Sequence, residues 1–113
     1  MDDHDWIMKF PGAITVSDAD GIILDLNEKA ADSFVEDGGF RLIGKNLFDC
    51  HPEPARSKLK DLYKNQEKNI YTIEKKGIKK LIYQTPWYKD GKFAGFIELS
   101  LEIPWDMPHF IRD

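Results

Sequence analysis

The chain has one cysteine, no long apolar run and no excess of basic residues, and each shortage excludes a class of protein. Cys50 is the one cysteine among 113 residues, so no internal disulfide can form and a reducing compartment is the simplest location. No apolar stretch approaches the ~20 residues of a membrane span, and the acidic start at Asp2, Asp3 and Asp5 is unlike a signal peptide. We therefore expect a cytoplasmic protein with no membrane contact.

The charge balance is acidic. The chain has 16 Lys and Arg residues and 20 Asp and Glu residues, which gives a formal net charge of -4. Nucleic-acid binding requires several phosphate contacts from a basic face, so we expect no nucleic-acid partner. With 42% hydrophobic and 32% charged residues, the composition is typical of one soluble folded domain.

Alternating apolar and polar residues predict five strands, with tight turns at Asp18–Gly21 and Asp90-Gly91. Asn27 caps a predicted helix from Glu28 to Val35, and Pro54 begins an amphipathic helix that extends to Lys68. The predicted strands are Ala13–Ser17, Ile22–Leu26, Ile70–Lys75, Lys79–Thr85 and Lys92–Ile103. Strands separated by a helical block predict an α+β fold, a five-stranded antiparallel sheet with helices packed on one face.

The last strand has two distinct faces. The apolar face is expected to contact the core, and the other face is expected to be wet. Phe96 interrupts the wet face and is expected to meet Trp6 or Phe10. The apolar face comprises Phe93, Gly95, Ile97, Leu99, Leu101 and Ile103, and the wet face Ala94, Phe96, Glu98, Ser100 and Glu102.

Both ends of the chain are apolar. We divide the sequence into an N-terminal lead or cap at 1–12, the domain at 13–103 and a C-terminal docking or linker segment at 104–113. The lead covers its own sheet or contacts a second copy, and the C-terminal segment docks on its own subunit or on a partner. The candidate dimer or partner residues are Trp6, Ile7, Phe10, Phe96 and Trp105.

Little in the sequence indicates catalysis. Cys50 and His51 are adjacent, but sequence neighbours rarely face each other and no Ser-His-Asp set accompanies them. We expect structural or pocket-lining roles for both, with a redox-sensing thiol as the alternative for Cys50. The three histidines are scattered, which disfavours a metal site. The lysines around Gly77 form a solvated turn or a surface for an acidic partner.

Four segments in order resemble the PAS sensor domain over roughly Pro11 to Ile103. They are Asp18–Gly21, Leu26–Ala31, Leu42–Asp49, and Asp90-Gly91 with Gly95. The resemblance implies a half-open cup, in which the sheet and the central helices enclose a ligand or plain core side chains. A stand-alone PAS domain of this length has no attached output domain, so its signal would leave through a homodimer or a signalling partner.

Two PAS cofactors are disfavoured by the residues that occupy their positions. In haem-binding PAS domains the iron-ligating His corresponds to Leu59, and leucine cannot ligate iron. His51 is eight residues earlier and would need a different geometry. In light-oxygen-voltage flavin domains the reactive Cys corresponds to Leu47, whereas the cysteine here is Cys50. The cofactor, if there is one, is therefore left open.

The cup implied by the resemblance has candidate lining residues that are mostly apolar with a few hydroxyl groups, which is the usual composition of a small-molecule site. They are Leu47, Phe48, His51, Leu59, Leu62, Tyr63, Tyr83, Thr85, Ile97 and Leu99. We expect a non-enzymatic sensory domain that binds a small, mostly apolar molecule there. The alternative is a ligand-free interaction or dimerisation module, in which Leu47, Phe48, Leu59 and Leu62 simply fill the cup.

Overall fold

A five-stranded antiparallel sheet is the centre of the computed structural model, which describes residues 4–113. The strand order is β2-β1-β5-β4-β3, and each neighbouring pair is antiparallel. The strands are β1 Ala13–Ser17, β2 Ile23–Leu26, β3 Asn69–Lys75, β4 Ile78–Lys89 and β5 Lys92–Ile103. Residues 1–3 of the predicted N-terminal lead lie outside the described part of the chain.

Within residues 4–113, three α-helices and three short 3-10 turns accompany the sheet. The helices are α1 Asp5–Met8, α2 Glu28–Ser33 and α3 Ala55–Asn65, and the 3-10 turns are Val35–Asp37, Gly39–Leu42 and Phe48–Cys50. The predicted α+β fold with its five-stranded sheet is confirmed. Helix α3 is shorter than predicted because Gln66 adopts a left-handed conformation, φ 54°, so that the helix ends at Asn65.

Strand β4 continues past the point at which the sequence predicts its end. It runs through Pro86, which pairs with Phe96 of β5. The pairing of β3 with β4 ends at Gln84, so beyond that point β4 has a neighbour on one side only. Proline is tolerated at such an edge because its missing N–H is not needed by a second neighbour.

Asn27 joins the N-terminal lead to the sheet and to α2. Its Oδ1 accepts from the backbone N–H groups of Ala30 at 3.0 Å and Ile14 at 2.9 Å. Its Nδ2 donates to the carbonyl oxygens of Gly12 at 2.8 Å and Ile7 at 3.1 Å. The predicted helix cap is thus confirmed, and the same buried side chain also fixes the lead.

The main core lies between α2 and the β1–β2 edge of the sheet. Its buried side chains are those of Ala13, Ile23, Leu26, Ala30, Ala31 and Leu42. Helix α1 lies on the opposite side, where Ile7 and Met8 line a small cleft with Ile14 and Val16. The lead therefore covers part of the outer face of the sheet.

Candidate functional site

A cavity of about 480 Å³ lies between the sheet and the helical side of the fold. Its sheet side is lined by Thr15, Ser17, Gln84, Phe96, Ile97 and Glu98. Facing them are Leu59 and Tyr63 of α3, and Leu47, Cys50 and His51 of the segment before α3. Ile23, Leu26 and Leu42 extend the cavity wall into the main core. The space thus lies between the elements that form the half-open cup of the predicted fold.

A row of polar side chains crosses the sheet side of the cavity. Glu98 pairs with Thr15 of β1 and with Gln84 of β4, and Gln84 pairs with Asn69 of β3. Directly paired residues of neighbouring strands share one face. Asn69 Nδ2 donates to Gln84 Oε1 at 2.8 Å, and Gln84 Nε2 donates to Glu98 Oε2 at 2.8 Å. This row places an ordered carboxylate, that of Glu98, on the sheet side of the cavity.

Tyr63 anchors α3 to the sheet. Its ring stacks on Phe96 with the centroids 4.3 Å apart, and Phe48 meets the same ring edge-on at 4.9 Å. The Tyr63 hydroxyl shares a hydrogen bond with Ser17 Oγ, which also accepts from the Phe96 backbone N–H at 3.4 Å. Burial raises the pKa of the Tyr63 hydroxyl above its ordinary value of 10, so this hydroxyl stays neutral at physiological pH.

A bulge between β4 and β5 determines where the aromatic rings of Phe93 and Phe96 lie relative to Tyr63. Tyr88 pairs with Phe93 and Trp87 with Gly95, so Ala94 is the extra residue of β5. The insertion brings Phe93 to the side of Phe96, and both rings contact Tyr63, at 6.3 and 4.3 Å. A bulge reverses the alternation of side chains along a strand. The uninterrupted alternation assumed from the sequence is therefore wrong at this end of β5.

Five of the ten predicted pocket residues line the cavity, namely Leu47, His51, Leu59, Tyr63 and Ile97. The other five do not line it, namely Phe48, Leu62, Tyr83, Thr85 and Leu99. Phe48 packs instead against the edge of Tyr63. Gln84 lies on the cavity face, so its strand neighbours Tyr83 and Thr85 point to the other face, together with Leu99, which pairs with Tyr83.

The predicted division of β5 into a core face and a wet face is wrong. Phe96 and Glu98, which the alternation places on the wet face, line the cavity together with Ile97 of the predicted apolar face. Phe96 is 5% exposed and packs on Tyr63, so its predicted contact with Trp6 or Phe10 and its candidacy as a dimer residue are wrong. The physical reason is that the lead covers the more apolar face from outside: Phe10 and Leu101 both lie against Gly12.

The other candidate partner residues remain near the surface. Trp6 is 72% exposed and Phe10 39%, whereas Ile7 is half-buried. Trp105 docks on its own subunit: its Nε1 donates to the Gly77 carbonyl at 3.0 Å, and the Lys79 ammonium lies 5.7 Å from its ring. The start of the C-terminal segment is thus held by the β3–β4 hairpin.

The polar row at Thr15, Gln84 and Glu98 is not among the predicted pocket residues. Each of these residues lies in a predicted strand, and Glu98 is predicted to lie on the wet face of β5. One sequence signal was available. Phe96 lies two residues before Glu98 on the supposedly wet face, and a large aromatic side chain there indicates a buried face.

Cys50 and His51 form no dyad. Cys50 Sγ donates to the Asn46 carbonyl at 3.5 Å, whereas His51 Nδ1 donates to the Leu47 carbonyl at 2.8 Å. Each side chain bonds back to its own loop, so neither activates the other. Across residues 4–113, no cluster of three or more His, Cys, Asp and Glu side chains is arranged to hold a metal ion.

Leu47 and Leu59, at the positions that the resemblance assigns to a flavin-reactive cysteine and a haem-ligating histidine, both line the cavity. Neither side chain has an atom that coordinates iron or attacks a flavin. His51 also lines the cavity, and its hydrogen bond to the Leu47 carbonyl fixes the proton on Nδ1.

None of the helices between residues 4 and 113 has the length and apolar character that crossing a membrane requires.

No protein-family model and no curated protein sequence matches the chain. Solved structures match over most of its length. A C-terminal domain from Streptococcus mutans aligns with a TM-score of 0.70 at 20% identity, over 85% of this chain and 78% of that one. The PAS domain of an HTR-like protein from Haloarcula marismortui aligns with a TM-score of 0.59 at 15% identity, covering 87% and 86%.

A third similar structure is the Aer2 receptor from Vibrio cholerae, described as a dual PAS-heme oxygen sensor. It aligns with a TM-score of 0.57 at 18% identity, over 82% of this chain and 95% of that one. At these identities the likeness defines the fold and not the ligand. The chain therefore has the PAS fold, as its sequence motifs predict.

Proposed function

We propose that the chain is a sensory PAS domain that binds a small molecule in the cavity between α3 and the sheet. The observation that supports this role most strongly is the cavity itself. Its 480 Å³ falls within the roughly 300–1,000 Å³ of known ligand sites.

A bound molecule would bridge two parts of the fold that Tyr63 also connects. Leu59 is on α3, and Phe96 and Glu98 are on the central strand β5. A ligand changes a conformational equilibrium only when it contacts the two states differently. Contacts that span α3 and β5 meet this condition, because any movement of α3 relative to the sheet changes them.

The signal would leave through the surface to a second copy or to a signalling partner. Leu99 pairs with Ile14 and with Tyr83 on the outer face of β5, so a displacement of β5 by the ligand moves this face too. Trp6 on the lead lies at the surface nearby and is 72% exposed. In this proposal the domain acts by recognition, without catalysis.

A second candidate is a ligand-free PAS interaction module. It is favoured by the exposed apolar side chains near the chain ends, among them Trp6 at 72%, Phe110 at 71% and Ile111 at 84%. Large apolar side chains exposed to water add no stability to a monomer. In a protein interface the same side chains are buried and stabilise the complex. The two candidates differ in whether the cavity is ever occupied.

Filling the cavity separates them. Leu59→Trp places a larger side chain on the α3 wall, and Leu24→Trp is the matched control because Leu24 is 45% exposed and does not line the cavity. The three proteins are compared in a thermal-shift screen of several hundred metabolite-sized compounds. We expect some compounds to raise the Tm of the wild type and of Leu24→Trp without changing the Tm of Leu59→Trp. A compound at about 100 times its Kd adds about 2.7 kcal/mol, a Tm shift on the order of ten degrees.

Two results of this screen would count against a ligand site. In the first, no compound stabilises any of the three proteins, which favours the interaction module. In the second, the same compounds stabilise Leu59→Trp as much as the wild type, which places their binding site elsewhere. Circular dichroism of each variant shows that the comparison is made between folded proteins.

A further inference from the structure

We infer that the bound molecule presents a positively charged, hydrogen-bond-donating group to Glu98, most simply a protonated amine on an apolar body. The inference rests on the proposed function, since it concerns the chemistry of a molecule in the same cavity. It is carried by the position of Glu98, the orientation of the amides beside it and the charges that line the rest of the cavity.

The amide row fixes one oxygen of Glu98 and leaves the other open. Asn69 Nδ2 donates to the Gln84 oxygen, so the Gln84 amide group is turned with its Nε2 toward Glu98 Oε2. Within residues 4–113, Gln84 is the one donor to this carboxylate, and no Lys or Arg forms an ion pair with it. Its second oxygen is therefore available to a ligand.

Glu98 is a half-buried carboxylate whose one hydrogen-bond donor within residues 4–113 is a neutral amide. Removing a charge from water costs free energy that a single neutral hydrogen bond does not restore. An ammonium or guanidinium group on the ligand would supply the opposite charge and a second donor together. Hydrogen bonds between oppositely charged groups are roughly twice as strong as hydrogen bonds between neutral groups. The ligand would also exclude water from around Glu98, which would strengthen the hydrogen bond between the cation and the carboxylate further.

The other charges around the cavity do not cancel Glu98. Lys45 and Asp37 also line the cavity, but both side chains are exposed and of opposite sign. Salt and water screen exposed charges strongly, so the half-buried Glu98 has the larger effect within the cavity. Its negative charge adds to the effect of burial in raising the pKa of both Tyr63 and Tyr71.

The apolar part of the remaining wall indicates an apolar body for the ligand. Leu47, Leu59 and Phe96 line the same cavity as Glu98, and Ile23 and Leu26 continue it into the main core. A fully hydrophilic cation would leave these side chains in contact with a charge. A molecule with one cationic end and an aromatic or aliphatic body matches both parts of the wall.

Matched compound triplets test the inference. Each triplet has one apolar skeleton with an amine, an alcohol or a carboxylate, for example tryptamine, tryptophol and indole-3-propionate, and several aromatic and aliphatic skeletons are used. Affinities are measured by calorimetry for the wild type, for Glu98→Gln, which keeps the size and the acceptor for Gln84, and for Glu102→Gln. The last is the control, because Glu102 is an exposed residue of the same strand.

We expect the amine of each binding skeleton to bind at least about tenfold more tightly than its alcohol, since a hydrogen bond to a charged group contributes about 1.5–3 kcal/mol. The preference should persist in Glu102→Gln and disappear in Glu98→Gln. Three results would overturn the inference and leave the proposed function standing. They are equal binding of amine and alcohol, tighter binding of the carboxylate, and an unchanged preference for the amine in Glu98→Gln. If no skeleton binds in any form, both are overturned. The wild-type triplets decide the question even if Glu98→Gln fails to fold.

Discussion

Replacing Gly95 by alanine is expected to destabilise the folded state strongly. Gly95 has φ +141°, and a Cβ added there would lie 1.9 Å from the Ser17 carbonyl oxygen and 2.6 Å from the Asp18 carbonyl carbon. Both atoms belong to the backbone, so no side-chain rotation relieves the overlap. We expect a loss of more than about 4 kcal/mol, a large fraction of the stability of a domain of this size. Urea unfolding followed by circular dichroism measures it.

Gly77→Ala is the matched control for this effect. Gly77 also has a positive φ, +78°, but an added Cβ would have no atom within 4 Å. The left-handed conformation alone costs a non-glycine residue roughly 1–2 kcal/mol. If Gly95→Ala and Gly77→Ala reduce the free energy of unfolding by similar amounts, then β1 and the β4–β5 bulge are not in the close contact described above.

Asn27→Ala is expected to lower the free energy of unfolding by about 3 kcal/mol. The side chain is 2% exposed and serves as the cap of α2 and as the link to the lead. Alanine removes the cap, which contributes about 1 kcal/mol, and leaves the buried Gly12 carbonyl and Ile14 N–H without their partner. A buried polar group that loses its partner costs a further 1–3 kcal/mol.

Ser33→Ala is the control for Asn27→Ala. The Ser33 hydroxyl also bonds to the backbone, at the Lys29 carbonyl at 3.0 Å, but it is exposed and water can replace it. Its loss should change stability by less than about 0.5 kcal/mol. Equal small effects from both variants would mean that Asn27 does not hold the lead, and that residues 5–10 are attached by other contacts.

The sequence was sufficient where local chemistry determines structure. Asp18 Oδ1 accepts from the backbone N–H groups of Asp20 and Ile22, both at 2.9 Å, which makes Asp18–Gly21 a turn regardless of its surroundings. Asn27 caps α2 for a similar local reason. The long alternation of β5 likewise predicted its bounds, Lys92–Ile103, correctly.

The sequence was insufficient where contacts between distant segments of the chain determine the structure. Either face of β5 can be buried, and the choice depends on the lead packing outside at Leu101 and on Tyr63 packing inside on Phe96. The bulge opposite Trp87 is also a property of the strand pair. For the same reason Trp105, whose partner is the Gly77 carbonyl 28 residues earlier, could not be placed from local pattern.

The most direct test of the central claim, that the space between α3 and the sheet is a ligand site, is the native mass of the protein. Wild type, Leu59→Trp and Leu24→Trp would be incubated with a small-molecule extract of the expression host and then weighed by native mass spectrometry. We predict an added mass on the order of a few hundred daltons on the wild type and Leu24→Trp, and none on Leu59→Trp. An unchanged mass for all three proteins, or the same added mass on Leu59→Trp, would contradict the account.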